Sequence, residues 1–243
     1  MSARNNKAVL FSLDVLTTRK AERESLNVRL TLPLKTPCPI LSQTLKPEEI
    51  LTMAERVILI YNAIVEQALH ADARPPNLNM LVEKALMHVL KREPYLEETQ
   101  EIIGLIAEEV YKPLSISPEY KRIVQLLYST GHMLGIVANL PIPASFLMDF
   151  FTKSGLLGYF ETIITSNDVG IFKPSQDMFR FAINSMGIKE KDVVIISSNY
   201  DRDIQPLHDL VATKVFLTKR TKTKLLPTHI RKIRALEELR NIV

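Results

Sequence analysis

Hydrophobic and polar residues change their period along this chain, and the changes mark its organisation. Lys7 to Leu13 reads KAVLFSL, an almost unbroken apolar run, the pattern of a strand buried on both faces. From Arg19 to Pro47 no period holds. Pro33, Pro37 and Pro39 fix φ and remove amide donors there, so an irregular segment is predicted. After Pro47 the period turns helical: Ile50, Met53, Ala54, Val57, Ile58, Tyr61 and Ile64 recur at three-to-four spacing and line one face. Pro75-Pro76 breaks that helix. Leu78, Leu81, Val82, Ala85, Leu86 and Val89 mark a second helix and Thr99 to Tyr111 a third, and Pro113 closes the block.

Beyond it, Ser117-Pro118-Glu119 opens a helix. A serine caps the free amides, and proline stands where its missing N–H costs nothing. That helix runs Tyr120 to Ser129. Then come a strand (Met133 to Asn139), a helix (Pro143 to Ser154), a short strand (Thr162 to Thr165), a helix (Ser175 to Met186) and a strand (Asp192 to Ser197). A helix from Asp203 to Leu210, a strand from Lys214 to Leu217 and a mostly helical His229 to Leu239 complete the pattern. Strands alternating with helices over short links imply an α/β, Rossmann-like parallel sheet with helices on both faces. The all-helical block interrupts it, which predicts a core of residues 1–17 and 115–243 and an inserted helical cap of 18–114. Open sheets of this kind bind ligands off the carboxyl ends of their strands. Ser12 to Leu16, Ala138-Asn139, the loop of Lys173 and Ser197 to Asp203 are expected to converge there.

Composition narrows the function classes. With 243 residues, 46% hydrophobic and 24% charged, the chain suits one ordinary domain plus an insertion. Cys38 is the sole cysteine, so no intramolecular disulfide and no thiol-rich metal site can form. The histidines at 70, 88, 132, 208 and 229 show no metal-ligand spacing and read as structural or surface residues. A net charge of +4 does not by itself indicate nucleic acid. The basic run Lys219, Arg220, Lys222 and Lys224 lacks the interleaved aromatics of a stacking platform, so nucleic-acid binding is not expected. No apolar stretch reaches the ~18 residues of a membrane span, and Met1 to Lys7 does not read as a cleavable leader. The expectation is a cytoplasmic location without membrane contact.

The four converging segments resemble the haloacid dehalogenase-like hydrolases, in the subgroup with a helical cap between the first and second motifs. The most specific stretch is Gly155 to Ser198, with its Gly-Leu, Tyr-Phe, short strand, Val-Gly, Lys173-Pro174, helix and buried strand in the family's order. The resemblance implies a first strand ending in an aspartate that attacks phosphorus and, two residues on, an aspartate that shuttles protons. Here these positions hold Ser12 and Asp14. The second motif, a phosphate-binding Thr or Ser followed by Asn, is Ala138-Asn139. The third, the lysine of a Lys-Pro pair, is Lys173. The fourth, Gly-Asp with another Asp five residues later, is Ser197-Ser198 with Asp203. Val15-Leu16 replaces the usual Gly-Thr after the second acid. Ser12, Asp14 and Lys173 are thus the vestigial catalytic set. Ala138, Asn139, Ser197, Ser198 and Asn199 are the substrate-binding set.

These departures have chemical consequences. A carboxylate nucleophile gives an acyl phosphate with a good leaving group. A serine gives an ordinary phosphate ester, whose alkoxide leaving group stalls turnover, and serine needs a base to attack at all. Asp14, at an unperturbed pKa of about 4, is a poor base for a hydroxyl. The family holds Mg²⁺ through the nucleophile, a backbone carbonyl and the fourth-motif acids. With serines at 12 and 198, only Asp14 and Asp203, helped by Asp201, remain for a metal, so the expectation is no cofactor or weakly held Mg²⁺. Ser197-Ser198-Asn199 is also similar to the fourth motif of the metal-free L-2-haloacid dehalogenases. Those enzymes need the missing nucleophile, and their later Asp falls where this chain has Arg202. The implied function is a catalytically impaired member with a crevice for a small anion or phosphorylated metabolite and a binding or interaction role. The alternative is a weak or unusual Mg²⁺-dependent phosphatase of a small phosphorylated metabolite.

Overall fold

The structure is a computed structural model that describes residues 7–17, 38–71, 77–111, 114–219 and 226–243. Six strands form one sheet in the order β3-β2-β1-β4-β5-β6, every neighbouring pair parallel. They are β1 (Ala8–Ser12), β2 (Met133–Ala138), β3 (Thr162–Thr165), β4 (Val193–Ser197), β5 (Thr213–Leu217) and β6 (Ile230–Ile233). The helices are α1 (Leu13–Leu16), α2 (Pro47–Ala71), α3 (Leu78–Leu90), α4 (Leu96–Tyr111), α5 (Pro118–Ser129), α6 (Ala144–Lys153), α7 (Ser166–Val169) and α8 (Asp177–Ser185).

Side chains alternate across a strand, and here both faces are covered. On one face Val9, Phe11, Ile136 and Ile196 pack with Val124 and Leu127 of α5, Leu147 and Phe151 of α6, and the C-terminal Leu236 and Leu239. On the other, Ala8, Leu10, Val137 and Ile195 pack with Met178, Phe179, Ala182 and Ile183 of α8. Double burial explains why β1 and β4 read as continuous apolar runs instead of alternating ones. Gly135 of β2 has no room for a side chain: a Cβ there would lie 2.6 Å from Leu10 Cδ2 and 2.8 Å from Thr162 Cγ2.

Between α1 and α5 the described residues form α2, α3 and α4 after a short turn at Leu41–Gln43, and no strand. The predicted periodicity is that of their packing: Ile50, Met53, Ala54, Val57, Ile58 and Tyr61 are buried, as are Leu78, Val82 and Leu86. The apolar cluster of this block is continuous with that on the α5 and α6 face of the sheet. Most of the irregular segment predicted from Arg19, the Pro75-Pro76 break and the boundary at Thr18 lie outside the described residues, as does the basic run beyond Lys219. No helix among the described residues is long and apolar enough to cross a membrane.

Two predicted helices are corrected. His229 to Leu239 is not mostly helical: Ile230–Ile233 is strand β6, paired in parallel with β5, and Leu236–Asn241 is a 3-10 turn. Ile230 and Ile233, three apart, imitate a helical period, but an edge strand leaves Arg231 and Lys232 between them partly in solvent. Asp203 to Leu210 is not a regular helix either. It is a π-helical turn, Tyr200–Ile204, followed by a 3-10 turn, Gln205–Leu207. Pro206 cannot donate to a helical ladder, so the helix does not propagate.

Candidate functional site

The sheet register brings the chemistry together. β1 and β4 are neighbours, with Phe11 opposite Ile196, so Ser12 and Ser197 leave the sheet side by side at its carboxyl edge. On the other side Ser12 pairs with Val137, one residue before Ala138. The loop of Lys173 is pinned to the end of β2 by a reciprocal pair: Asn139 Nδ2 donates to the Lys173 carbonyl, and Lys173 N–H donates to Asn139 Oδ1, each at 2.9 Å. The π-helical turn then carries Asp203 inward. Its first residues are capped by Asn199, whose Oδ1 accepts from Arg202 N–H at 3.1 Å.

Asp203 is the hub of the crevice. It is fully buried. Its Oδ2 accepts from Ser12 Oγ at 2.7 Å, Ser197 Oγ at 2.7 Å and Lys173 Nζ at 3.0 Å. Arg202 clamps the same carboxylate with both arms, Nε to Oδ1 at 2.5 Å and Nη2 to Oδ2 at 3.0 Å. Lys173, also buried, donates to Ser12 Oγ at 2.5 Å and reaches the Val137 carbonyl at 3.5 Å. Asp14 Oδ2 forms a second, smaller centre. It accepts from Ser198 Oγ at 2.6 Å and Ser198 N–H at 3.1 Å, and the Ser197 hydroxyl oxygen lies 3.2 Å from it. Ser197 thus stands between the two carboxylates.

The electrostatics follow from burial and partners. Burial works to raise the pKa of Asp203. The Lys173 ammonium, the Arg202 guanidinium and the Ser197 hydroxyl outweigh it and hold the carboxyl well below the usual range. Burial lowers the Lys173 pKa, and the Asp203 carboxylate pulls against that fall. The two directions disagree about how firmly the pair is charged. The contacts decide it: the Lys173 ammonium faces the Ser12 hydroxyl, a carbonyl and a carboxylate, the surroundings of a charged amine. Among the described residues, the carboxylates of Asp14 and Asp203 stand in this network with the cations of Lys173 and Arg202.

Of the expected site residues, the structure brings Ser12, Asp14, Lys173, Ser197, Ser198 and Asp203 into this network. Asn139 and Asn199 have their side chains engaged in holding the loop and the turn. Ala138 is buried at the strand end. Asp201, offered as a helper for a metal, is exposed. The Asp203 side chain bonds inward, and Asn199 caps the turn. The sequence reading missed Arg202. It had registered only as a residue that breaks the dehalogenase spacing.

Asp203 does not offer itself to a Mg²⁺ ion. Such an ion requires carboxylate oxygens free to face it, whereas both oxygens of Asp203 are engaged by Arg202 and one also by Lys173. Among the described residues no three His, Cys, Asp or Glu side chains are grouped to hold a metal. Donors for an anion are likewise engaged: the Lys173 ammonium and the hydroxyls of Ser12, Ser197 and Ser198 all face internal oxygens. Away from this crevice, a groove of about 650 Å³ lies between α2 and α3, with Met53, Val57, Leu81 and Ala85 among its walls. It contains none of the expected site residues.

Comparison with known proteins follows the same lines. A family model described as haloacid dehalogenase-like hydrolase matches residues 57–208. A phosphoglycolate phosphatase of Yersinia pseudotuberculosis is 26% identical over 125 residues, 50% of this chain and 53% of that one. A glyceraldehyde 3-phosphate phosphatase of Methanocaldococcus jannaschii is 31% identical over 67 residues, 28% of this chain and 29% of that one. The chain therefore spans about half the length, or less, of these curated relatives. A crystal structure of a HAD phosphatase from Thermococcus onnurineus shares the fold with a TM-score of 0.55 at 20% identity, covering 97% of each chain.

Proposed function

The chain belongs to the haloacid dehalogenase-like hydrolase family, and on that premise we propose that it is a catalytically impaired member with a binding or interaction role, one that does not turn over phosphate esters. One observation carries the reading: the group at the nucleophile position, Ser12, is buried and held between Lys173 and Asp203. A serine that attacks needs a base ready to take its proton. Ser12 instead receives a hydrogen bond from an ammonium and gives its own to a carboxylate whose pKa is held low. Neither partner is a competent base near neutral pH. The helical block between β1 and β2 is, in this reading, the cap over the strand ends, and the crevice works without a metal.

The alternative is a weak hydrolase of a small phosphorylated metabolite. It is supported by the relatives, whose names give phosphoglycolate and glyceraldehyde 3-phosphate as their substrates. It requires Lys173 and the serine hydroxyls to leave Asp203 and Asp14 for an incoming phosphate.

A screen of the purified protein against small phosphate esters, with Mg²⁺ and with EDTA, separates the two. The expected result is no hydrolysis above background in either condition. Turnover that survives purification and vanishes in Ser12→Ala would overturn the proposal.

A further inference from the structure

We propose that Arg202 is the resident cation of this crevice, occupying electrostatically the place that a divalent metal would otherwise fill. The inference deepens the binding reading above, because it states how the site does without metal.

The argument starts from charge. By resemblance, the family's crevice sets four acids against one lysine, an excess of negative charge that does not hold together until a cation joins it. In this chain two of those acids are Ser12 and Ser198. Arg202 brings a permanent positive charge to a third, Asp203, since a guanidinium does not lose its proton in proteins. The result, among the described residues, is a group of two acids and two cations, with Asp203 and Lys173 buried and Asp14 and Arg202 half-buried.

Geometry makes the substitution specific. Arg202 binds Asp203 through two arms, at 2.5 and 3.0 Å, the fork arrangement that suits a carboxylate. Its backbone is fixed by the Asn199 cap at 3.1 Å. The π-helical turn sets Arg202 and Asp203 against each other although they are adjacent in sequence. Asp203 Oδ2 carries three further donors, from Ser12, Ser197 and Lys173. A metal approaching Asp203 has to displace the guanidinium clamp and meets its charge. Asp14 is the other acid of the group among the described residues, and Ser198 donates to its Oδ2 through both Oγ and N–H, with the Ser197 hydroxyl 3.2 Å away.

The test is thermal unfolding of the full chain in EDTA and in MgCl₂. The parent and Arg202→Lys, which keep a cation, should show the same Tm in both. Arg202→Ala and Arg202→Gln remove the charge and free Asp203 Oδ1. Both should unfold earlier in EDTA and regain about 5–10 °C when Mg²⁺ reaches on the order of a hundred times its Kd. If Arg202→Ala is insoluble, Arg202→Gln carries the same comparison. Mg²⁺ stabilisation of the parent, or no response from either neutral variant, would refute the assignment. The two readings fail separately. Phosphatase turnover in EDTA defeats the binding role and leaves Arg202 as the cation, whereas Mg²⁺ binding by a parent without turnover does the reverse.

Discussion

Replacing Lys173 by Met tests whether the buried network is as tightly coupled as its distances imply. Methionine fills most of the lysine stem's volume and removes only the charge and its donors. In the parent, Lys173 Nζ holds Ser12 Oγ at 2.5 Å and Asp203 Oδ2 at 3.0 Å, and both ionic side chains are almost wholly out of solvent. Removing one member of a buried pair leaves an uncompensated charge and typically costs about 3–5 kcal/mol. Arg202 still neutralises Asp203 in the variant, so the lower end, about 3 kcal/mol, is expected, or roughly 6–12 °C in Tm for a chain of this size. Adding Asp203→Asn removes the anion that Lys173 served, so Lys173→Met with Asp203→Asn should cost less than the two single changes together, a coupling on the order of 1–3 kcal/mol. Urea unfolding of the parent, both single variants and the double variant provides the cycle. A cost below about 1 kcal/mol for Lys173→Met, within the range of an exposed pair, would show that the ammonium is not part of the network.

Two further outcomes follow. The Asp203 carboxyl has a lower pKa folded than unfolded, so the unfolded chain binds more protons and stability rises with pH. Its contribution is complete above the unfolded value of about 3.9 and disappears as pH falls through the lowered folded value. Urea midpoints should therefore fall more steeply below pH ~4 for the parent than for Asp203→Asn, and equal slopes would contradict the assignment. Ser12→Asp with Ser198→Asp adds two negative charges beside Asp203 and Asp14. It should be less stable than the parent in EDTA and recover with Mg²⁺, by about 2.7 kcal/mol at a hundred times the Kd. Adding Arg202→Ala should strengthen that recovery, and a double variant indifferent to Mg²⁺ would mean the segments do not converge as described.

The fold was legible because burial writes itself into the sequence. β1 and β4 are buried on both faces, and the continuous apolar runs KAVLFSL and DVVIIS reported it. Ser117 accepts from Tyr120 N–H at 3.3 Å with Pro118 at the start of α5, so the predicted cap is the one found. The errors fall where period and burial separate. Strand β6 is only four residues long, and its two buried isoleucines, three apart, fit a helical period and not the alternation of a strand. The turn after β4 follows no regular period at all, because Asn199 and Pro206 shape it and periodicity is blind to caps and missing donors.

The site was legible only as far as spacing carries information. Ser12, Lys173 and Asp203 could be set in one crevice because strand ends and motif intervals placed them there, and the Asp203 side chain does turn inward. Arg202 could not be found in that way. Side chains at adjacent positions face apart in a strand and lie about 100° apart on a regular helix, so an Arg beside an Asp in sequence gives no reason to expect a bidentate clamp. The clamp is found within the π-helical turn Tyr200–Ile204. The signal that remained was arithmetic: on the reading proposed above, a crevice that loses two acids and gains a neighbouring arginine has less need of a metal. Counting charges over the whole turn, including residues outside the motif positions, would have found it, because a buried carboxylate such as Asp203 must have its counter-charge within reach.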